Sequence, residues 1–418
     1  MTARWVPAAA WAYLLLGRGR YWQPLTSLPA PQSQTRPRGP CGPGARRSPE
    51  RQPERQPARQ PERWPRVAIV VPARNEAALL PHTLPTLLSQ SYPGPAQVVL
   101  VDDQSSDGTA ELARSLARQG GGRGLGLAVV EGEHRPPGWA GKPWAMAQGW
   151  AHALRAPEPP EWVLFTDADI AHPPESLRQL VLSALGSGKA AVSVMARLPT
   201  GTRWERLTLP AFVYFFTQIY PFRWVNDPGR ETAAAAGGCL LVEADALAQA
   251  GGMGAIAGAT IDDVAIAKAL KASGYDIWLT LAGDGSPGQA PNVESARRYP
   301  ALTGIWEMVA RNAYTQLGYS PWALAGATAG LSAVYLAPPA LAAAGLATRK
   351  RATALAGLAG WTAMAASYLP IGRYYRASPA TALALPFTCS LYMAMTLDSA
   401  RRHRQGASAW KGRPAPRA

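Results

Sequence analysis

Two carboxylates, Asp167 and Asp169, stand one residue apart directly after the apolar run WVLF (162–165). On a tight turn, such a pair can face a hard divalent cation and leave its other positions to the oxygens of a diphosphate. Three more polar clusters accompany it. Pro72–Ala73–Arg74–Asn75–Glu76 follows VAIVV (67–71); Asp102–Asp103, with Ser105, Ser106 and Asp107, follows VVLV (98–101); Asp262–Asp263 precedes the helical run Val264–Ala272. A lone acidic pair is ordinary turn or cap chemistry. Clusters at the strand ends of one sheet would instead converge on one edge and suit cations and phosphates. An incoming hydroxyl would also need a proton acceptor. Either Asp262 or Asp263 fits, because adjacent like charges and burial raise one pKa; the other suits helix N-capping. Lys142, in GWAGKPW (138–144), is either a point charge for phosphate or a surface lysine. His172 reads as a loop histidine ahead of Pro173–Pro174 rather than a metal ligand.

The elements that must position these groups alternate. The runs at 67–71, 98–101 and 162–165 predict buried parallel strands, and 79–91 and 109–118 predict helices. The expected fold is therefore an α/β domain over 66–319 with ligands at the carboxyl ends of its strands. Residues 1–28 hold the uncharged run Trp5–Leu16, shorter than the ~20 residues of a comfortable span; it is a short membrane anchor or an interfacial segment. Residues 29–65, with ERQPARQPERWP, are too poor in apolar groups to fold and predict a disordered linker. Within 320–400, three apolar segments at about 321–347, 352–371 and 379–397 predict transmembrane helices, and their small residues suit close packing. A basic tail, 401–418, ends the chain. Leu207–Phe222 is uncharged and aromatic, either a core helix or an interfacial one.

The formal charge of +15 comes largely from arginines near the two ends, and no nucleic-acid recognition motif accompanies it. Partners of that class are not expected. Cys41, Cys239 and Cys389 fit neither a zinc spacing nor a disulfide framework, as in a reducing compartment.

The ordered series VAIVVPARNEA, VVLVDDQSSDGT, GKPWAMAQG, FTDADI, AAAAGGCLLV and IDDVAIAKAL resembles family 2 glycosyltransferases of the GT-A fold, a Rossmann-like nucleotide-diphospho-sugar transferase fold. It covers about 66–274. GWAGKPWAMAQG, TDADIAHPP, AAAAGGC and IDDVAIA, with the apolar tail after MVARNAY, most resemble the bacterial hopene-associated glycosyltransferases. The resemblance implies that Pro72, Arg74, Glu76 and Asp103 hold the base and ribose of a nucleotide-diphosphate sugar. It implies that Asp167 and Asp169 engage diphosphate and a divalent metal, magnesium or manganese, with Asp169 the direct ligand. Asp263 would be the base, next to Asp262 in the acidic pair, and Gly237, Gly238 and Cys239 part of the acceptor floor. The polymer-forming members' Gln-x-x-Arg-Trp is replaced here by Ser295–Ala–Arg–Arg–Tyr299, where Arg298 would touch the diphosphate. Transfer of one sugar to a lipid is thus expected rather than chain elongation. The expected setting is a bacterial inner membrane, with the catalytic domain on the cytoplasmic face.

Overall fold

The computed structural model describes residues 3–30, 61–120, 124–405, 409–410 and 413–414. Cys41, most of the expected 29–65 linker and half of the basic tail lie outside the described residues. The strands are β1 Val67–Ala73, β2 Ala96–Asp102, β3 Gly126–Glu131, β4 Trp162–Phe165, β5 Ile170–Ala171, β6 Ala191–Met195, β7 Leu240–Glu243, β8 Ile277–Leu281 and β9 Glu294–Ser295. Seven of them form one sheet in the order β3-β2-β1-β4-β7-β6-β8, and β5 pairs with β9 in a small antiparallel ribbon. Every residue of β1 is buried, as expected of a central strand covered on both faces. Helices Leu80–Leu88 and Thr109–Gln119 occupy the two expected helical stretches.

Strand β7 runs antiparallel to both β4 and β6, a reversal that the apolar runs do not announce. Its beginning therefore shares an edge with the carboxyl ends of β1, β2, β4, β6 and β8. The β8 edge is covered from the N-terminal segment, with Leu281 N–H donating to Leu25 O (2.8 Å), and past the strand Ala290 N–H donates to Thr26 O (2.7 Å). Such cover removes an open row of backbone groups.

A helical layer packs beside the sheet. Helix Arg203–Ile219 opens with a capping box between Thr202 and Glu205 and buries Leu209, Val213 and Tyr214. Its inner face is core, while Ile219 at its end is 46% exposed. Tyr214 Oη lies 3.0 Å from Tyr21 Oη and 2.6 Å from Ser367 Oγ, tying three distant parts of the chain together. The N-terminal helix Val6–Gly17 has 12 residues, too few to span a bilayer. It docks through fully buried Trp11, whose Nε1 donates to Val334 O at 2.7 Å.

Pro321–Ala347 and Arg351–Tyr374 are long and apolar enough to cross a membrane, and only these two qualify among the described residues. Their most apolar windows are 22% and 50% buried, whereas the core helix of a soluble domain would be mostly covered. A Cβ on Gly345 would fall 2.2 Å from Ala354 N, and one on Gly357 2.2 Å from Ala342 N, so glycine permits the two helices to touch backbone to backbone. The third expected apolar segment, 379–397, is not one continuous helix. It divides into Ala380–Leu383 and Leu385–Arg404, and the latter gathers Asp398, Arg401, Arg402 and Arg404 toward its end.

Candidate active site at the carboxyl edge of the sheet

The turns after β1 and β2 are knitted together. Asn75, at φ 51°, accepts from Ser106 N–H (2.9 Å), and Glu76 N–H donates to Thr109 Oγ1 (3.0 Å). Asp103, wholly buried, is held to the end of β1 by its N–H on Ala73 O (2.8 Å). Arg74 lies over it, donating to Asp103 O, with Nη1 3.9 Å from Asp103 Oδ2. Pro72 is buried inside β1 and offers no polar side-chain group to the pocket.

After β4, Thr166 Oγ1 donates to Gly238 O at 2.7 Å and accepts from His172 Nε2 at 2.8 Å, which fixes the histidine tautomer. Burial pushes the His172 pKa down to about 4. The neutral ring therefore braces the turn carrying Asp167 and Asp169, in line with its expected structural role. Each of these aspartates has its own cation. Lys142 Nζ, from the first turn of helix Gly141–Leu154, lies 2.7 Å from Asp167 Oδ1 and 3.0 Å from Asp262 Oδ2. Burial opposes charge on Lys142, but Asp167, Asp262 and Asp263 outweigh it and hold the ammonium protonated. Arg297 Nε donates to Asp169 Oδ2 at 2.7 Å, and its Nη2 reaches Glu76 Oε1 and Oε2 at 2.7 and 2.9 Å. The Asp169 carboxyl is raised by burial and by Asp167, against the pull of Arg297.

Asp262 and Asp263 form the first turn of helix Asp262–Ala272, whose N-cap residue is Ile261. Asp263 Oδ2 accepts from Gly237 N–H and Oδ1 from Val264 N–H, both at 2.7 Å. Burial and the neighbouring Asp262 raise the Asp263 carboxyl to about 7, with Lys142 opposing them. A group so poised can take a proton near neutral pH. At Gly237 a Cβ would lie 3.0 Å from Lys142 Nζ and 3.4 Å from Asp263 Oδ2, so the missing side chain lets the Asp263 carboxylate and the lysine stay close.

Two expected positions are corrected. Arg298 does not reach the cluster; its side chain is 66% exposed and its nearest carboxylate is Glu205, at 3.9 Å. Arg297 takes that place. Just past β9, Ala296 N–H on Asp169 O (2.8 Å) ties the chain to this turn, and it is the Arg297 side chain that faces Asp169. Cys239 lies fully buried in the sheet core, its thiol pushed up to about 12 by burial, so its side chain is closed off from the edge expected to form an acceptor floor.

No group of three or more His, Cys, Asp or Glu side chains among the described residues forms a metal centre. Asp167 and Asp169 instead provide a carboxylate pair, which magnesium-like cations combine with substrate phosphate oxygens. The donor set is hard oxygen, and its negative charge is already matched by internal cations. It fits an open site completed by substrate.

A seven-stranded mixed sheet with acidic turns gathered at one edge is the arrangement of a GT-A domain. Residues 68–249 match the family model described as Glycosyl transferase family 2. The undecaprenyl-phosphate 4-deoxy-4-formamido-L-arabinose transferase of Aeromonas hydrophila is 32% identical over 139 residues, 31% of this chain and 37% of that protein. The 4,4'-diaponeurosporenoate glycosyltransferase of Staphylococcus aureus is 33% identical over 105 residues, 25% of this chain and 24% of that protein. The chain thus matches well under half the length of either curated relative. The solved mannosyltransferase PcManGT of Pyrobaculum calidifontis, in complex with GDP-Man and Mn2+, aligns over 98% of this chain and 99% of its own at 20% identity. Its TM-score of 0.51 shows a shared fold.

Proposed function

We propose that this chain is a membrane-bound, inverting glycosyltransferase that moves one sugar from a nucleotide-diphosphate donor to a lipid acceptor, a hopanoid or another polyisoprenoid. The observation that carries it is Asp263: a carboxyl raised to about 7, fixed by the Gly237 and Val264 amides, on the edge that carries the Asp167–Asp169 turn. Arg74, Glu76 and Asp103, with Pro72 shaping their turn, receive the base and ribose. Asp169 and Asp167 hold a divalent cation, magnesium or manganese, which when bound offsets charge on the departing diphosphate. Lys142 adds a fixed positive charge beside that leaving group. Asp263 takes the proton of the acceptor hydroxyl as it attacks the anomeric carbon from the opposite side, in one displacement. Gly237 and Gly238 leave room for a bulky acceptor.

The two apolar helices and the relatives named for undecaprenyl phosphate and diaponeurosporenoate support a lipid acceptor at a membrane. A bacterial inner membrane with the sheet domain facing the cytoplasm, where nucleotide sugars are made, completes the proposal. The test is incubation of membranes containing the protein with labelled nucleotide sugars, followed by lipid extraction. Label in the lipid fraction is expected, and label only in polymer would replace this function with polysaccharide synthesis.

A further inference from the structure

Arg297 holds an unusual position for a residue near a cation-binding carboxylate. It spends Nε on Asp169 Oδ2 at 2.7 Å and closes a fork on both oxygens of Glu76 at 2.7 and 2.9 Å. Glu76 keeps only 9% of its side-chain surface, and Asp169 15%. Burial alone would disfavour charge on the guanidinium, yet the two carboxylates outweigh it. The arginine sits on a segment anchored to the same turn, through the β5–β9 ribbon and the Ala296 N–H bond to Asp169 O. It therefore cannot be an incidental surface pair.

We infer that Arg297 is an internal counter-cation that occupies Asp169 in the ligand-free protein and makes divalent-cation binding depend on a diphosphate. Arg297 plays this part only if Asp169 is a cation ligand, as proposed above. A cation approaching alone must displace the guanidinium from Asp169 and leave it partly buried beside one carboxylate instead of two. A diphosphate arriving with the cation offers the freed guanidinium a new anionic partner, and planar forks pair well with phosphate. The two ligands then favour each other reciprocally, by a factor on the order of 5–150 for ordinary couplings. Lys142 cannot replace Arg297 in this, because it faces Asp167 and Asp262 rather than Asp169. The consequence is that the site stays closed to metal until a donor is present, which guards Asp169 against idle cations.

The test is Mn2+ binding, followed by electron paramagnetic resonance on the purified full chain in detergent, with and without inorganic pyrophosphate. Wild type should bind Mn2+ weakly alone and about tenfold or more tightly with pyrophosphate. Arg297→Met should bind Mn2+ alone about tenfold more tightly than wild type and lose most of the pyrophosphate enhancement. Arg297→Lys keeps the charge without the fork and should fall between; it decides the matter if the methionine variant does not fold. Equal Mn2+ affinity in all three proteins, with metal bound, would overturn the role of Arg297 and leave the metal site standing. No Mn2+ binding in any of them, with or without pyrophosphate, would overturn the metal site itself and this role with it.

Discussion

Lys142→Met removes one charge from the centre of the site while keeping most of the side chain's bulk. In the native protein the ammonium is shared among Asp167 at 2.7 Å, Asp262 at 3.0 Å and the nearby Asp263, whose carboxyl it draws downward to about 7. An opposite charge within ~4–6 Å lowers a carboxyl pKa by roughly 1–3 pH units. Because Lys142 is divided among three carboxylates, the lower end applies, and its loss should move the ionisation of Asp263 alkaline by about one pH unit. Only ionised Asp263 can accept the acceptor's proton. The acid limb of the pH profile of kcat/KM, which reports the free enzyme, should therefore move from near neutrality to about one unit higher. At pH 7 the ionised fraction would drop from about one half to about one tenth, a roughly fivefold loss from this cause alone. Weaker diphosphate binding would add a loss of its own, but one that does not change with pH. Radiolabelled transfer to extracted lipid, measured from pH 5.5 to 9.5, separates the two. An acid limb that stays in place or moves to lower pH would refute both the coupling and the assignment of Asp263 as base.

Asp263→Asn keeps an acceptor for the Gly237 or Val264 amide, so the fold should persist while transfer falls ~10²–10⁴-fold with donor binding retained. More than a tenth of wild-type turnover would exclude this residue as the base. His172 provides a prediction about stability. Its folded pKa of about 4 lies below the ordinary histidine value, so the unfolded chain binds the proton more readily. The stability it contributes is present above about pH 6.5 and is lost as pH falls toward 4, by about 3 kcal/mol in full. Thermal unfolding in detergent between pH 7.5 and 4 should show that acid loss, and His172→Asn should flatten it.

Much of the site is local in origin, and local features are legible in a sequence. VAIVV, VVLV and WVLF are β-branched or aromatic runs that strand pairing buries, and each ends in residues that prefer turns. That is why the clusters around Arg74, Asp103 and Asp167–Asp169 stand where the strand pattern puts them. Sequence alone also singled out the acidic pair at 262–263 and the apolar character of 321–347 and 352–371. Other decisions depended on contacts between distant segments. The reversal of β7 brings Gly237 to the carboxyl edge and buries Cys239, because inversion of one strand exchanges which end faces the pocket. The bond that ties Ala296 to Asp169 O chose Arg297 over Arg298, since it presents the first side chain to Asp169 while the second lies toward Glu205. Asp262 and Asp263, equivalent by type, separate only because Lys142 pairs with one and the Gly237 amide with the other. Residue type and spacing thus determined which chemical groups were available, because turns and strands form from near neighbours. Tertiary packing decided which of them meet, because charge pairing and burial act between residues that the chain itself keeps far apart.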